Sequence, residues 1–146
     1  MPTRTARTAW NGTLEQGSGQ VELTSSGVGT YDVSFPKRAA DDADGTTSPE
    51  ELIAAAHSAC FAMQLSAFIA EAGGTPQSLD VKAEVSLGPD KANGGFAITG
   101  IALTVRGEVE GLDEAGFQAA AEKAKAGCPV SKALSGTTIT LDAGLE

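Results

Sequence analysis

Ser48–Gly74, SPEELIAAAHSACFAMQLSAFIAEAGG, is the longest helix-like pattern in the chain, and its reading decides the fold. Ser48 suits the N-cap, Pro49 the first helical position, and Glu51 the place from which a capping-box carboxylate reaches back to the cap. Glu50 and Glu51 also favour the positive end of the helix dipole. Gly73-Gly74 can take the left-handed conformation that closes a helix, with Pro76 just beyond. Leu52, Ile53, Ala56, Ala59, Cys60, Met63, Ala67 and Ala70 recur at helical spacing and predict one apolar stripe. Seven alanines from Ala54 to Ala70 make the helix flat enough for a second helix to approach closely. At 1.5 Å per residue such a helix runs roughly 37 Å, more than a small domain's width. It is expected to be the central helix.

Upstream, Thr3–Trp10, Gln20–Thr24 and Tyr31–Phe35 read as strands separated by Asn11-Gly12, Gly17-Ser18-Gly19 and Gly27-Val28-Gly29 turns, an antiparallel meander. Residues 36–47, PKRAADDADGTT, read as a polar loop. Its Asp41, Asp42 and Asp44 miss the spacing of a calcium loop, so a solvated acidic segment is expected, with Lys37 and Arg38 the basic pair near the helix start. Downstream, Leu79–Leu87 alternates apolar and polar residues over nine positions, the pattern of a half-buried strand. Gly88–Gly95 reads as a turn, and Phe96–Glu108 as a long partner strand with a bulge near Gly100. Leu112–Ala126 predicts a second helix capped by Asp113, with Phe117, Ala120, Ala121 and Ala124 inward and Gly127 as its stop. Pro129–Leu134 reads as a short helix and Thr137–Leu141 as a last strand. The order βββ-α-ββ-α-α-β implies an α+β fold, with residues 1–146 as a single domain.

Composition narrows the function. The chain has 146 residues, 41% of them hydrophobic, enough for one core. A net charge of −9 with ten Lys plus Arg argues against nucleic acid or an anionic membrane as partner. No run of 18 or more apolar residues is expected to span a membrane, and MPTRTARTAW lacks the apolar core of a secretory signal. These features suggest the cytoplasm, where thiols stay reduced. One histidine and no ligand cluster predict no metal site.

Cys60 and Cys128 each admit two readings. Cys60 is mid-helix: either a small core residue or a thiol that needs a cation brought from elsewhere, since no free N–H groups are at hand. Cys128 opens the short helix before Pro129: either a filler in a tight turn or a thiolate favoured by unpaired N–H groups. Together they could cycle through a sulfenic acid and a disulfide, although spacing alone does not show that they meet. His57, one turn before Cys60, could form a Cys–His dyad, but without a third partner or oxyanion motif a structural hydrogen bond is the better expectation.

SPEELIAAAHSACFAM and, far downstream, KAGCPVSKAL resemble the OsmC/Ohr family of thiol-dependent hydroperoxide reductases. AAAHSACF and AGCPVS are similar to its OsmC branch, and the likeness covers essentially the whole chain. The resemblance implies an OsmC-like fold and an intertwined homodimer with two sites, without cofactor or metal. It implies a peroxidatic Cys60 and a resolving Cys128, joined in a disulfide during turnover. Arg38 (with Lys37 as the alternative cation) would stabilise the thiolate, and Glu50 would hold the guanidinium through a bidentate pair. Organic hydroperoxides would be the substrates, with Leu52, Phe61, Met63 and Phe96 as candidate pocket residues, and a small dithiol such as a dihydrolipoyl group the reductant. Glu50 and Cys60 are ten residues apart on one helix, so they are about 15 Å apart in rise and about 80° apart around the axis. An Arg–Glu–Cys site would therefore draw Arg38 and Glu50 from a partner chain. The rival reading is a non-enzymatic module that holds an apolar ligand in a dimer cleft, with both cysteines inert.

Overall fold

β-branched and aromatic residues between glycine turns form the meander. In the computed structural model, which describes Met1–Glu146, β1 (Arg7–Asn11), β2 (Ser18–Glu22) and β3 (Thr30–Val33) pair antiparallel in that order. Val21 of β2 lies opposite Thr8 and Tyr31 and is the one buried side chain of this sheet. β1 and β3 are shorter than predicted, and β2 begins two residues earlier. β3 stops at Val33, and the segment expected as loop begins with a helical turn, α1 (Phe35–Arg38). Ser34 causes this: its hydroxyl accepts the Lys37 N–H at 3.3 Å, and Pro36, with its fixed φ, occupies the first turn.

The long helix α2 (Pro49–Glu71) forms as expected, with one change at its start. The Ser48 hydroxyl accepts the Glu51 N–H at 3.1 Å, but the Glu51 carboxylate accepts from the Thr47 hydroxyl instead of completing the capping box. At the other end Gly73 adopts φ 91°, and the Gly74 N–H reaches the Ile69 carbonyl at 2.9 Å. That closure needs a residue without a side-chain penalty at positive φ, which is glycine.

The chain divides into two units, Met1–Leu52 and Ile53–Glu146. In the second, β4 (Thr75–Pro89) and β5 (Phe96–Glu110) make a long antiparallel hairpin. Ser86 pairs with Gly100 and Leu87 with Ile98, so Thr99 is the extra residue of the expected bulge. After α3 (Glu114–Gly127) and α4 (Pro129–Ala133), β6 (Ile139–Leu145) returns parallel to β5, Ile101 opposite Ile139. Helical connections are what a parallel pairing requires. Asp113 caps α3 as predicted, its side chain accepting from the Gly116 N–H at 2.8 Å. Gly127 does not stop α3, of which it is the last residue. The chain leaves the helix at Cys128, in extended conformation (φ −61°, ψ 126°), as the residue before a proline prefers.

Phe61, Leu65 and Ile69 of α2, Ile101, Leu103 and Val105 of β5, and Phe117, Ala120, Ala121 and Ala124 of α3 form the core. Gly107 of β5 belongs to this packing, because a Cβ there would come within 3.0 Å of the Phe117 ring. The predicted stripe of α2 is corrected. Its buried face runs His57, Phe61, Leu65, Ile69, whereas Ala56, Ala59, Met63, Ala67 and Ala70 are exposed. Helical periodicity could not choose, since both faces are apolar. By length and composition α2 is also apolar enough to cross a membrane, contrary to the expectation that no stretch is, although one face serves as a core face here. Two three-stranded sheets with one long and three shorter helices make this an α+β protein.

Candidate active site

The sequence-predicted residues fall into two clusters, one in each unit. In the second, Cys60 in the middle of α2 and Cys128 just before α4 bring their sulfurs to 2.8 Å, as free thiols. Disulfide formation needs the sulfurs at about 2.05 Å, so a small shift suffices. Cys128 is fully buried, whereas Cys60 keeps partial exposure. Their surroundings act in opposite directions. Burial raises the Cys60 thiol pKa, as do the hydrogen bond and charge of Cys128, against a smaller pull from the Val130 N–H. Burial also acts upward on Cys128, but the Cys60 thiol, the Ser131 N–H and hydroxyl and the Val130 N–H outweigh it and lower the pKa.

Next to this pair, His57 Nε2 lies 2.7 Å from Ser131 Oγ, and both residues are buried. Burial lowers the His57 pKa, so the ring is neutral near pH 7. His57 thus has a hydrogen-bond partner, as the sequence led us to expect. The sequence alone gives no reason to single out Ser131. It lies inside the AGCPVS motif, three residues after Cys128 on a turn that Pro129 opens.

In the first unit, Arg38 Nε donates to both carboxylate oxygens of Glu50, at 2.8 and 3.1 Å. The expected bidentate fork is thus replaced by a single nitrogen shared between two oxygens, which leaves the terminal guanidinium nitrogens for another acceptor. Glu50 is buried (7% exposed), so its charge relies on this pair. Lys37 turns instead to Asp44 at 2.7 Å, the Asp44 carboxylate raising its pKa. Arg38 borders an apolar cavity of about 350 Å³ lined by Trp10, Leu14, Val33, Phe35 and Leu52. Of the four candidate pocket residues, Leu52 alone lines it. Phe61 is a core residue, while Met63 and Phe96 lie on the surface.

Fold and site together define a protein with paired thiols in an α+β scaffold. Residues 41–142 match the family model of the OsmC-like proteins, and the chain belongs to that family. It is 46% identical to peroxiredoxin OsmC of Escherichia coli strain K12 over 94% of this chain and 92% of that one. It is 36% identical to organic hydroperoxide resistance protein OhrA of Bacillus subtilis strain 168, over 85% of this chain and 84% of the other. A crystal structure of an organic hydroperoxide resistance protein from Elizabethkingia anophelis superposes with a TM-score of 0.76 at 30% identity, covering 99% of both chains.

Proposed function

We propose that the protein is a cysteine-based peroxidase that reduces organic hydroperoxides, with Cys60 as the attacking thiol and Cys128 as the resolving one. The observation that carries this reading is the 2.8 Å approach of two free thiols, one partly exposed and one buried. The Cys60 thiolate attacks the O–O bond and becomes a sulfenic acid, and the alkoxide takes a proton to leave as an alcohol. The Cys128 thiolate then displaces hydroxide from the Cys60 sulfur, forming a disulfide and, with one proton, water. A dithiol, such as a dihydrolipoyl group in a reducing compartment like the cytoplasm, returns both thiols.

Cys60 needs a cation, because its surroundings in the protomer raise its pKa. We assign that cation to Arg38, oriented by Glu50, since Lys37 is engaged by Asp44. α2 is unbroken from Pro49 to Glu71, so ten residues of helix, about 15 Å of rise, separate Glu50 from Cys60 of the same chain. The reading therefore places Arg38 and Glu50 of a second subunit beside Cys60, in a homodimer with two composite sites. The exposed Ala56, Ala59, Met63, Ala67 and Ala70 supply a flat surface for such an association. The cavity next to Arg38 suits the organic group of a hydroperoxide better than hydrogen peroxide, because its walls are mostly apolar. Titration of free thiols before and after one equivalent of cumene hydroperoxide tests the reading. Loss of both thiols to one intramolecular disulfide is expected; two thiols still free after minutes would refute it.

A further inference from the structure

Thiol pair, arginine and glutamate leave two buried polar side chains without a task. His57 (0% exposed) and Ser131 (5%) meet at 2.7 Å, and the other ring nitrogen, His57 Nδ1, is buried with no partner. That orphan sets the direction of the bond. A proton on Nδ1 would bury an N–H without an acceptor, the rarer and costlier orphan. With the proton on Nε2, the ring donates to Ser131 Oγ, and the serine hydroxyl hydrogen is free to point onward. Ser131 stands three residues after Cys128, and its hydroxyl acts on that sulfur in favour of the thiolate. A donor chain thus runs from His57 of α2 through Ser131 toward the resolving cysteine.

We infer that His57 and Ser131 make Cys128 the leaving sulfur when the Cys60–Cys128 disulfide is reduced, so that the reducing dithiol attacks Cys60. The inference rests on the peroxidase reading and adds a direction to its second half. Access favours the same choice, since Cys128 is 0% exposed whereas Cys60 keeps partial exposure. A thiolate of the reductant bonds to Cys60 Sγ, and the S–S electron pair leaves with Cys128 Sγ, where the Ser131 hydroxyl stabilises it. The second thiol of the reductant then attacks the mixed disulfide, closes its own disulfide and releases Cys60. Two electrons pass from the dithiol to the protein, and its two protons end on the protein thiols or in solvent. Departure is faster for the thiol of lower pKa, which is the advantage of the donor chain. The Ser131 hydroxyl favours the Cys128 thiolate; His57 acts through Ser131 and is a positioning residue.

The test starts from a disulfide formed with a diazene oxidant, so that it does not depend on reactivity toward peroxide. The oxidised protein is mixed with glutathione, quenched in acid at early times, alkylated and mapped by peptide mass spectrometry. Glutathione on Cys60 and the alkyl group on Cys128 are expected; the reverse pattern overturns the inference. If the diazene disulfide opens this way while cumene hydroperoxide oxidises neither thiol, the peroxidase reading fails and the direction of opening stands. Ser131→Ala and His57→Leu should slow reduction by a dithiol about tenfold more than they slow oxidation by peroxide. His57→Gln, whose amide N–H can still donate to Ser131, should recover most of the loss. Equal deficits in both half-reactions, or no recovery with glutamine, would count against the donor chain.

Discussion

Cys60 and Cys128 have the same side chain and lie 2.8 Å apart, yet their environments push them in opposite directions. Cys60 sits within a helix whose own N–H groups are all spoken for, so burial dominates and its thiol is held in the neutral form. Cys128 sits where the chain turns from α3 into α4, and the Cys60 thiol with the N–H and hydroxyl groups of that turn favours its thiolate over the opposing effect of burial. The lesson is that the thiol proposed to attack the substrate is the one its own subunit activates less. On the proposed reading, a cation from a second subunit completes the site.

The sharpest way to break this contrast is to remove the sulfurs one at a time. Cys60→Ser should lose rapid consumption of tert-butyl hydroperoxide altogether. Cys128→Ser should still consume one equivalent and then stall as a sulfenic acid on Cys60, visible with a sulfenic-acid trap. Rapid oxidation of Cys128 in the Cys60→Ser protein would reverse the two roles.

Removing the cation tests why Cys60 needs help. Arg38→Ala should slow peroxide reduction on the order of 10²-fold, the scale for losing one donor to a developing negative charge. Lys37→Ala should change the rate less than Arg38→Ala does, because Lys37 is spent on the exposed Asp44. Peroxide kinetics with the roles of the two residues interchanged would overturn the assignment.

A mixing experiment asks where that cation comes from. Cys60→Ser and Glu50→Gln proteins, each inactive, are refolded together and the heterodimers isolated. With shared sites, each heterodimer has one working site and about half the wild-type activity. Isolated heterodimers without activity would mean that each subunit supplies its own arginine and glutamate.

The smallest effect concerns the histidine beside the pair. The His57 pKa is below the ordinary 6.5 because of burial, so the unfolded chain takes up a proton that the folded one refuses. The contribution to stability is full above pH 6.5 and is lost as the pH falls toward the folded-state value. The slope is at most about 1.4 kcal/mol per pH unit from this one group. Urea unfolding of wild type and His57→Gln between pH 7 and pH 5 measures it; equal slopes would show that His57 does not contribute.

Much of this was legible in the chain. Local chemistry set the ends of α2, because a serine hydroxyl and a glycine act on their immediate neighbours, and strict alternation marked β4 as a half-buried strand. The two cysteine motifs pointed to the thiol pair through their resemblance to a family, since residues so distant in sequence carry no local sign of meeting. The turn at α1 was missed because Ser34 was read as strand, where its capping role is invisible. Ser131 was missed because a serine near a cysteine is ordinary until a buried histidine is seen against it.

By itself the sequence determined what nearest neighbours control: the ends of α2, strand alternation, the α+β order of elements apart from α1, and the residues of the two motifs. Only the tertiary structure decided which apolar face of α2 enters the core, because Ala, Met and Phe at helical spacing favour burial on either side. It also decided that Lys37 belongs to Asp44 and Arg38 to Glu50, a choice between adjacent cations that depends on how α1 turns the chain. And it brought Cys128 against Cys60, and Ser131 against His57, because α3 packs in the core with α2 and the chain turns into α4 at its end.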